Sequence, residues 1–382
     1  MGGMDTQLLL AKPIRSVVVV RRRRRQWARH TLALIAALAL SWEQRALGEE
    51  HETEGVRPLP VFLSVLPGAI VHGSGTFALG EKKTATKLLA FEGAGLASLV
   101  GGGATFWLSG AARGLAASAS FFVVAGGAVL AESWFADIYG VAMPSKLKGD
   151  VIRNAPRLEA ELVTRYVGGP HVSSARVGSA VTARLGPGAL HLGALVGPSE
   201  RYDRVDASLA FRAIGPTPES KARSGSTYDL IMAGAHTRHG AAGFSVDHVD
   251  LQAAGRLDLD RLGHVLRGSF VELSGGAALR SIHFDHGSAL SPDVALLIRT
   301  AFGVALGREG HALRSEFKLY YDHRHDDDAG GLLMRGIVSG VFGHFGIEGS
   351  IFTKSGWGAR AFGEYGSAGV IGVSLLYRVG GT

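Results

Sequence analysis

Residues 313–322 read Leu313-Arg314-Ser315-Glu316-Phe317-Lys318-Leu319-Tyr320-Tyr321-Asp322. In an extended chain successive side chains point to opposite faces. Leu313, Ser315, Phe317, Leu319 and Tyr321 therefore share one side, and Arg314, Glu316, Lys318, Tyr320 and Asp322 the other. One face suits an apolar neighbour; the other carries charges of both signs. Residues 204–213 repeat the pattern, with Val205, Ala207, Leu209 and Phe211 set against Arg204, Asp206, Ser208 and Arg212. So do residues 249–260, where Val249, Leu251, Leu257 and Leu259 alternate with Asp250, Gln252, Arg256, Asp258 and Asp260. Residues 371–379 place Ile371, Val373, Leu375 and Tyr377 opposite Gly372, Ser374, Leu376 and Arg378. Strict period-two alternation of this length marks strands with two unlike faces.

Weaker runs fall near 157–167, 175–185, 189–197, 227–237, 264–274, 276–284, 293–307, 332–345, 346–353 and 357–366, giving fourteen candidate strands in all. Gly186-Pro187-Gly188, Gly215-Pro216-Thr217-Pro218 and Asp326-Asp327-Asp328-Ala329-Gly330-Gly331 separate them with turn chemistry. A soluble sandwich would turn the apolar faces toward each other, and a membrane barrel would turn them to lipid. The strands are long for a sandwich and match the roughly 9–11 residues that cross a bilayer at a tilt. Gly, Ala and paired opposite charges suit a narrow lumen. Tyr166, Tyr202, Trp357, Tyr365 and Tyr377 lie near strand ends, where interfacial aromatic residues sit.

Residues 157–382 thus resemble a bacterial outer-membrane β-barrel, porin-like in kind. The resemblance implies an antiparallel transmembrane barrel of about twelve strands, a lipid bilayer around it and the barrel-assembly machinery as a partner. Where such barrels usually finish on an aromatic residue, Tyr377 and Val379 are followed here by Gly380-Gly381-Thr382. The charges expected to line the lumen are Arg212, Arg256, Asp258, Arg314, Glu316, Lys318, Arg360 and Glu364.

The rest of the chain supports export. Nine of the 40 Lys and Arg and two of the 33 Asp and Glu lie in residues 1–48, leaving 31 of each beyond. The sequence pI of about 9.7 is thus a property of the leader, and no nucleic-acid partner is expected. Cationic Arg21 to Arg25 and Arg29, apolar Thr31 to Trp42 and small Ala46-Leu47-Gly48 follow the order of a secretory signal peptide. Arg24-Arg25-Gln26-Trp27 loosely resembles a twin-arginine signal. The chain has no cysteine, which excludes a disulfide-stapled module and a thiolate metal site.

Residues 49–66 form a polar lead-in, and 67–142 a Gly- and Ala-rich hydrophobic helical hairpin. Its apolar segments, 84–109 and 114–141, are each long enough to cross a membrane, with small residues that let helix backbones approach. Leu66-Pro67-Gly68 and Gly73-Ser74-Gly75, ahead of the two apolar segments, resemble an element found before paired helices in many bacterial membrane proteins; it implies no activity. Its glycines are read as turn and packing residues rather than a phosphate loop, and Lys87 as the partner of Glu92. Residues 143–156 form a linker. The hairpin could plug, flank or anchor the β half, or dock a partner membrane protein. Anchoring would place a periplasmic β domain on the inner membrane instead.

Ligand-like clusters are sparse. His323, His325, Asp326 and Asp328 have carboxylates and imidazoles that suit a divalent cation, but their setting between strands reads as a solvated loop. His283, Asp285 and His286 could serve a barrel-embedded hydrolase, yet no nucleophile is placed beside them by spacing. The sequence leads to an exported pore or structural barrel with no cofactor and no catalysis.

Overall fold

The computed structural model describes residues 57–110, 113–151, 155–169, 173–218, 225–287, 292–307, 311–323 and 343–380. The leader, 1–48, lies outside them, as do most of candidate strand 332–345 and the residues His325, Asp326 and Asp328. Alternation becomes twelve strands: β1 Leu158–Gly168, β2 Ser173–Leu185, β3 Gly188–Gly197, β4 Tyr202–Ile214, β5 Thr227–His239, β6 Phe244–Asp258, β7 Ser269–Phe284, β8 Asp293–Leu306, β9 Leu313–His323, β10 His344–Thr353, β11 Trp357–Tyr365 and β12 Gly369–Val379. Each pairs antiparallel with its sequence neighbours, and β1 closes on β12 from Leu158↔Val379 to Gly168↔Gly369. Closure removes the unpaired edge that an open sheet would expose.

The two faces of this barrel are inverted relative to a soluble protein. Leu162, Val205, Leu251 and Val373 point outward and are 61%, 61%, 67% and 58% exposed. Charged side chains on the intervening residues point in. A broad apolar exterior with a polar interior is the arrangement of a transmembrane barrel. Tyr166 and Tyr365 face outward at one end, and Trp357 and Tyr377, with ring centroids 4.8 Å apart, at the other. Tyr202 differs from the sequence expectation. It points inward and is buried beneath the Arg176 guanidinium, 3.6 Å from the ring centroid.

The expected break within 264–284 is absent: β7 runs unbroken through Gly275-Gly276 after a short 3-10 turn at His264–Leu266. A Cβ at Gly276 would collide with the backbone of Leu251 and Gln252 on β6, so these glycines serve close strand contact rather than a turn. Other inward glycines receive aromatic rings from a neighbouring strand. Phe270 lies over Gly303, Tyr320 over Gly346, Phe352 over Gly358 and Phe362 over Gly372, each ring occupying the space where a Cβ would stand.

Four helices precede the barrel: α1 Pro58–Val65, α2 Ser74–Ala78, α3 Lys82–Leu108 and α4 Arg113–Ala142. The last two form the hairpin. Gly95 lies against Gly126, and Gly102 against Ala119 and Val123, so closely that any larger residue at these glycines would force the helices apart. The hairpin flanks the barrel on its outer face. The Phe121 ring rests on outward-facing Gly275 of β7, Phe135 and Tyr139 meet Phe302 of β8, and the Thr300 hydroxyl donates to Glu132. Leu96, Val100 and Trp107 remain exposed on the far side of the hairpin.

Two of the hairpin's acids are bound by the segment just ahead of α3. Asp137 accepts from the backbone N–H groups of Gly75 (3.0 Å) and Thr76 (2.9 Å), and Glu92 from that of His72 (2.9 Å). Lys87, the partner expected for Glu92, instead donates to the carbonyls of Arg261 and Leu262, at 3.2 and 2.8 Å. The 66–76 glycine turn is thus occupied by an internal carboxylate.

The linker fastens the hairpin to the barrel end at which β1 starts and β12 stops, termed the near end below. Lys148 pairs with Leu306, and its buried ammonium donates to the carbonyls of Gly140 (3.0 Å) and Val265. Asp150 receives Arg267 at 2.6 Å and 3.1 Å. Burial among carbonyls lowers the Lys148 pKa to about 8.

Two outcomes are expected from these contacts. Gly372→Val should expel the Phe362 ring and destabilise the barrel by roughly 1–3 kcal/mol, as overpacked sites do. Gly363→Val, where a Cβ meets only ordinary contacts, should change little; circular dichroism melts in detergent compare the two. For Lys148 the unfolded chain holds its proton up to about pH 10, whereas the folded chain sheds it near pH 8. Stability should rise with pH across that window and be flatter there in Lys148→Met, as read by urea titrations of both proteins.

Candidate functional site

Strand parity brings charges from most of the chain into one lumen. Arg256 on β6 is held by Glu272 of β7 and reaches Glu316 of β9 at 3.0 Å. Lys318 lies 3.8 Å from Glu272 and from Glu316, and 3.4 Å from Glu348 of β10. Arg360 of β11 continues the belt to Glu348 at 3.7 Å and to Glu161 of β1 at 3.1 Å. Arg378 of β12 closes on Glu159 at 2.5 Å. Several pairs reach over an intervening strand, which is possible because all of them face the same confined space. Charge taken from water is costly unless paired, so each cation is stabilised by at least one carboxylate.

The other wall is more sparsely charged. Arg212 grips Asp229 with two bonds of 2.8 and 2.9 Å and donates a third to the Pro216 carbonyl at 2.8 Å. His191 and Arg204 share Asp206 at 3.3 and 3.4 Å. Ala and Gly fill much of the remaining inward surface of β3 to β5 and leave open volume.

That volume is a series of adjoining cavities. The largest, about 430 Å³, opens toward the near end beside Ala155 and Pro156, with Arg256, Glu316, Lys318 and Arg360 in its wall. A second, about 270 Å³, shares Arg184, Arg212 and Asp229 with it. A third, about 320 Å³, continues toward the other end past Arg299, Glu348, Arg360 and Glu364. Beyond these, Val167, Phe362 and Val370 pack inward, and Leu297 is buried with Ala278 and Ala295. The cavities are larger toward the near end, and toward the far end Val167, Phe362 and Val370 stand beside buried Arg176, Asp322 and His344.

The sequence-singled charges have different surroundings. Arg256, Glu316, Lys318 and Arg360 form the belt, and Arg212 stands on the sparser wall. Glu364 accepts from the Tyr320 hydroxyl at 2.6 Å. Asp258 caps the 3-10 turn Leu259–Arg261 through the Asp260 N–H, at 3.2 Å, and accepts from Gly225 N at 3.3 Å. Arg314 donates to the Asp150 carbonyl of the linker at 3.3 Å. These last two organise the near rim. Glu159, Glu161, Arg184, Glu272, Arg299, Glu348 and Arg378 were not singled out, although each has the parity of a lumen residue. Except for Arg378, on the strictly alternating 371–379, their strands alternate less cleanly.

His323 ends β9. His283 faces outward with Asp247, 3.2 Å away, which also holds His236 at 2.6 Å. Among the described residues no group of three or more His, Asp or Glu is arranged to hold a metal ion.

No family model matches the sequence and no curated protein matches it closely enough to report. Among solved structures, the chain is similar to the KdgM porin in complex with disordered oligogalacturonate, at 7% identity and a TM-score of 0.35, over 57% of this chain and 98% of that one. It is similar to the translocator domain of the autotransporter NalP from Neisseria meningitidis at 16% identity and 0.32, over 60% and 90%. It is also similar to the Acinetobacter baumannii outer membrane protein Omp33 at 10% and 0.30, over 58% and 98%. Values this low transfer nothing of those proteins' cargo or role to this chain.

Proposed function

We propose that this chain is a bacterial outer-membrane barrel that passes small polar solutes through a narrow lumen carrying both signs of charge. The observation that supports this reading most is the chain of adjoining cavities beneath the Arg256–Arg360 belt. A barrel serving only as a scaffold would gain more from filling that volume with packed side chains. The paired side chains of the belt reach across the lumen and make the path narrow, so steps of current should be small and solutes low in mass. The outer membrane is the location that fits a closed barrel with an apolar belt and an export-type leader. The assembly machinery of that membrane is then its folding partner, and no catalytic step enters the reading.

The hairpin belongs to the same account. Because α4 lies along the outer wall of β7 and β8, hairpin and barrel occupy one membrane, which weighs against a hairpin anchored in the inner membrane with the β half free in the periplasm. Its exposed Leu96, Val100 and Trp107 face acyl chains in this reading.

Planar-bilayer recording on the purified protein tests the proposal. Discrete small steps are expected, and Arg256→Ala combined with Glu316→Ala should enlarge them by roughly two-fold, because lumen side chains set the free cross-section. Silent membranes with both proteins, each shown to be folded, would overturn the pore and leave a structural barrel.

A further inference from the structure

The near end of the lumen holds an imbalance that the belt does not. The two acids nearest Arg184 are already taken: Asp229 accepts both bonds of the Arg212 fork, and Glu159 accepts from Arg378 at 2.5 Å, with Arg360 3.9 Å away. Arg184 stands among these groups on β2. Its guanidinium makes one hydrogen bond, to the Pro156 carbonyl at 3.2 Å, and among the described residues it forms no ion pair. Arg184 also lines both near-end cavities, of about 430 and 270 Å³.

A guanidinium has five N–H donors in a planar fork that matches a carboxylate or phosphate. With one donor used on a neutral carbonyl, Arg184 keeps a charge and donors facing open volume. Arg212 and Arg378 add positive potential nearby, and the hydroxyl-bearing Thr182 and Ser208 line the smaller cavity. Neutral solutes would find hydroxyls there, but only an anion would complete the pairing that Arg184 leaves open.

We propose that the near half of the lumen is an anion-binding vestibule in which Arg184 receives the carboxylate or phosphate group of a small solute. The site rests on reading the lumen as a solute path, and it narrows that path's cargo to anionic compounds of low mass. The surrounding carboxylates keep Arg212 and Arg378 occupied, so one negative group is taken rather than several. The larger cavity reaches the near end of the barrel, where Ala155 and Pro156 form part of its wall.

Isothermal titration of the folded, detergent-solubilised protein with inorganic phosphate and with succinate, at low salt, tests the site without requiring conductance. Saturable binding of one or both is expected. Arg184→Gln should weaken it by about ten-fold or more, because a charge-assisted fork is lost, and Arg184→Lys should restore part of it. Asp229→Asn frees the Arg212 fork and should tighten binding. Lys146→Gln, which removes an exposed linker charge, is the control for net charge and should leave binding as it was. Binding unchanged in Arg184→Gln, or equal loss in Lys146→Gln, would overturn the proposal. If Arg184→Gln fails to fold, Asp229→Asn alone decides, and unaltered affinity there overturns it. Phosphate bound by a protein that passes no current would defeat the pore and keep the vestibule. Current with no Arg184-dependent binding would do the reverse.

Discussion

The hydrogen-bonded closure of β1 on β12 is the constraint from which the other features follow. Once eleven antiparallel pairings become twelve, no strand edge is left, and each residue has only two destinations, lipid or lumen. Most inward charges then find their partners within a narrow space. The belt through Arg256, Glu316, Lys318, Glu348, Arg360, Glu161, Glu159 and Arg378 is the result. Its pairs reach over intervening strands because the closed wall curves their side chains toward each other. Ring-on-glycine contacts such as Phe362 over Gly372 complete the inward packing where charge is absent.

The second consequence concerns the hairpin. The cavities left within the closed barrel, the largest about 430 Å³, are too small for two long helices. The outer wall of β7 and β8 takes them, where Gly275 leaves a recess for Phe121 and Thr300 supplies a hydroxyl for Glu132. Polar groups in an apolar setting need partners, and the segment between α1 and α3 meets that need for Asp137 and Glu92 through backbone N–H groups. Helices, linker and barrel rim are joined at the near end by Lys148 and Asp150, which bond across α4, the Leu259–Gly268 segment and β8.

Period-two alternation was enough to read most of the sheet. Residues 204–213, 313–322 and 371–379 lie within β4, β9 and β12, because nothing but strand pairing dictates which side chains they carry. Legibility failed where a second demand overrode the alternation. Gly275-Gly276 resembles a break, yet serves a helix on one face and a strand backbone on the other. Asp260 continues the alternating pattern of 249–260, but Asp258 ends β6 by capping a turn. Tyr202 has the position of an interfacial aromatic, but its inward parity puts it under Arg176. The placement of the hairpin could not be read at all, since it depends on a recess that exists only after the barrel closes. Of the lumen charges, Arg212, Arg256, Glu316 and Lys318 stood out on strictly patterned strands, whereas Glu272, Glu348 and Arg184 sit on strands whose faces are less distinct.

Electrophoresis of protein extracted from separated envelope membranes, run with and without boiling, tests most directly whether the chain is a closed barrel in an outer membrane. Recovery from the outer membrane with a faster unboiled band that shifts on heating is the predicted result, since a barrel without edges resists detergent until heated. Recovery from the inner membrane with a single mobility at both temperatures would contradict it.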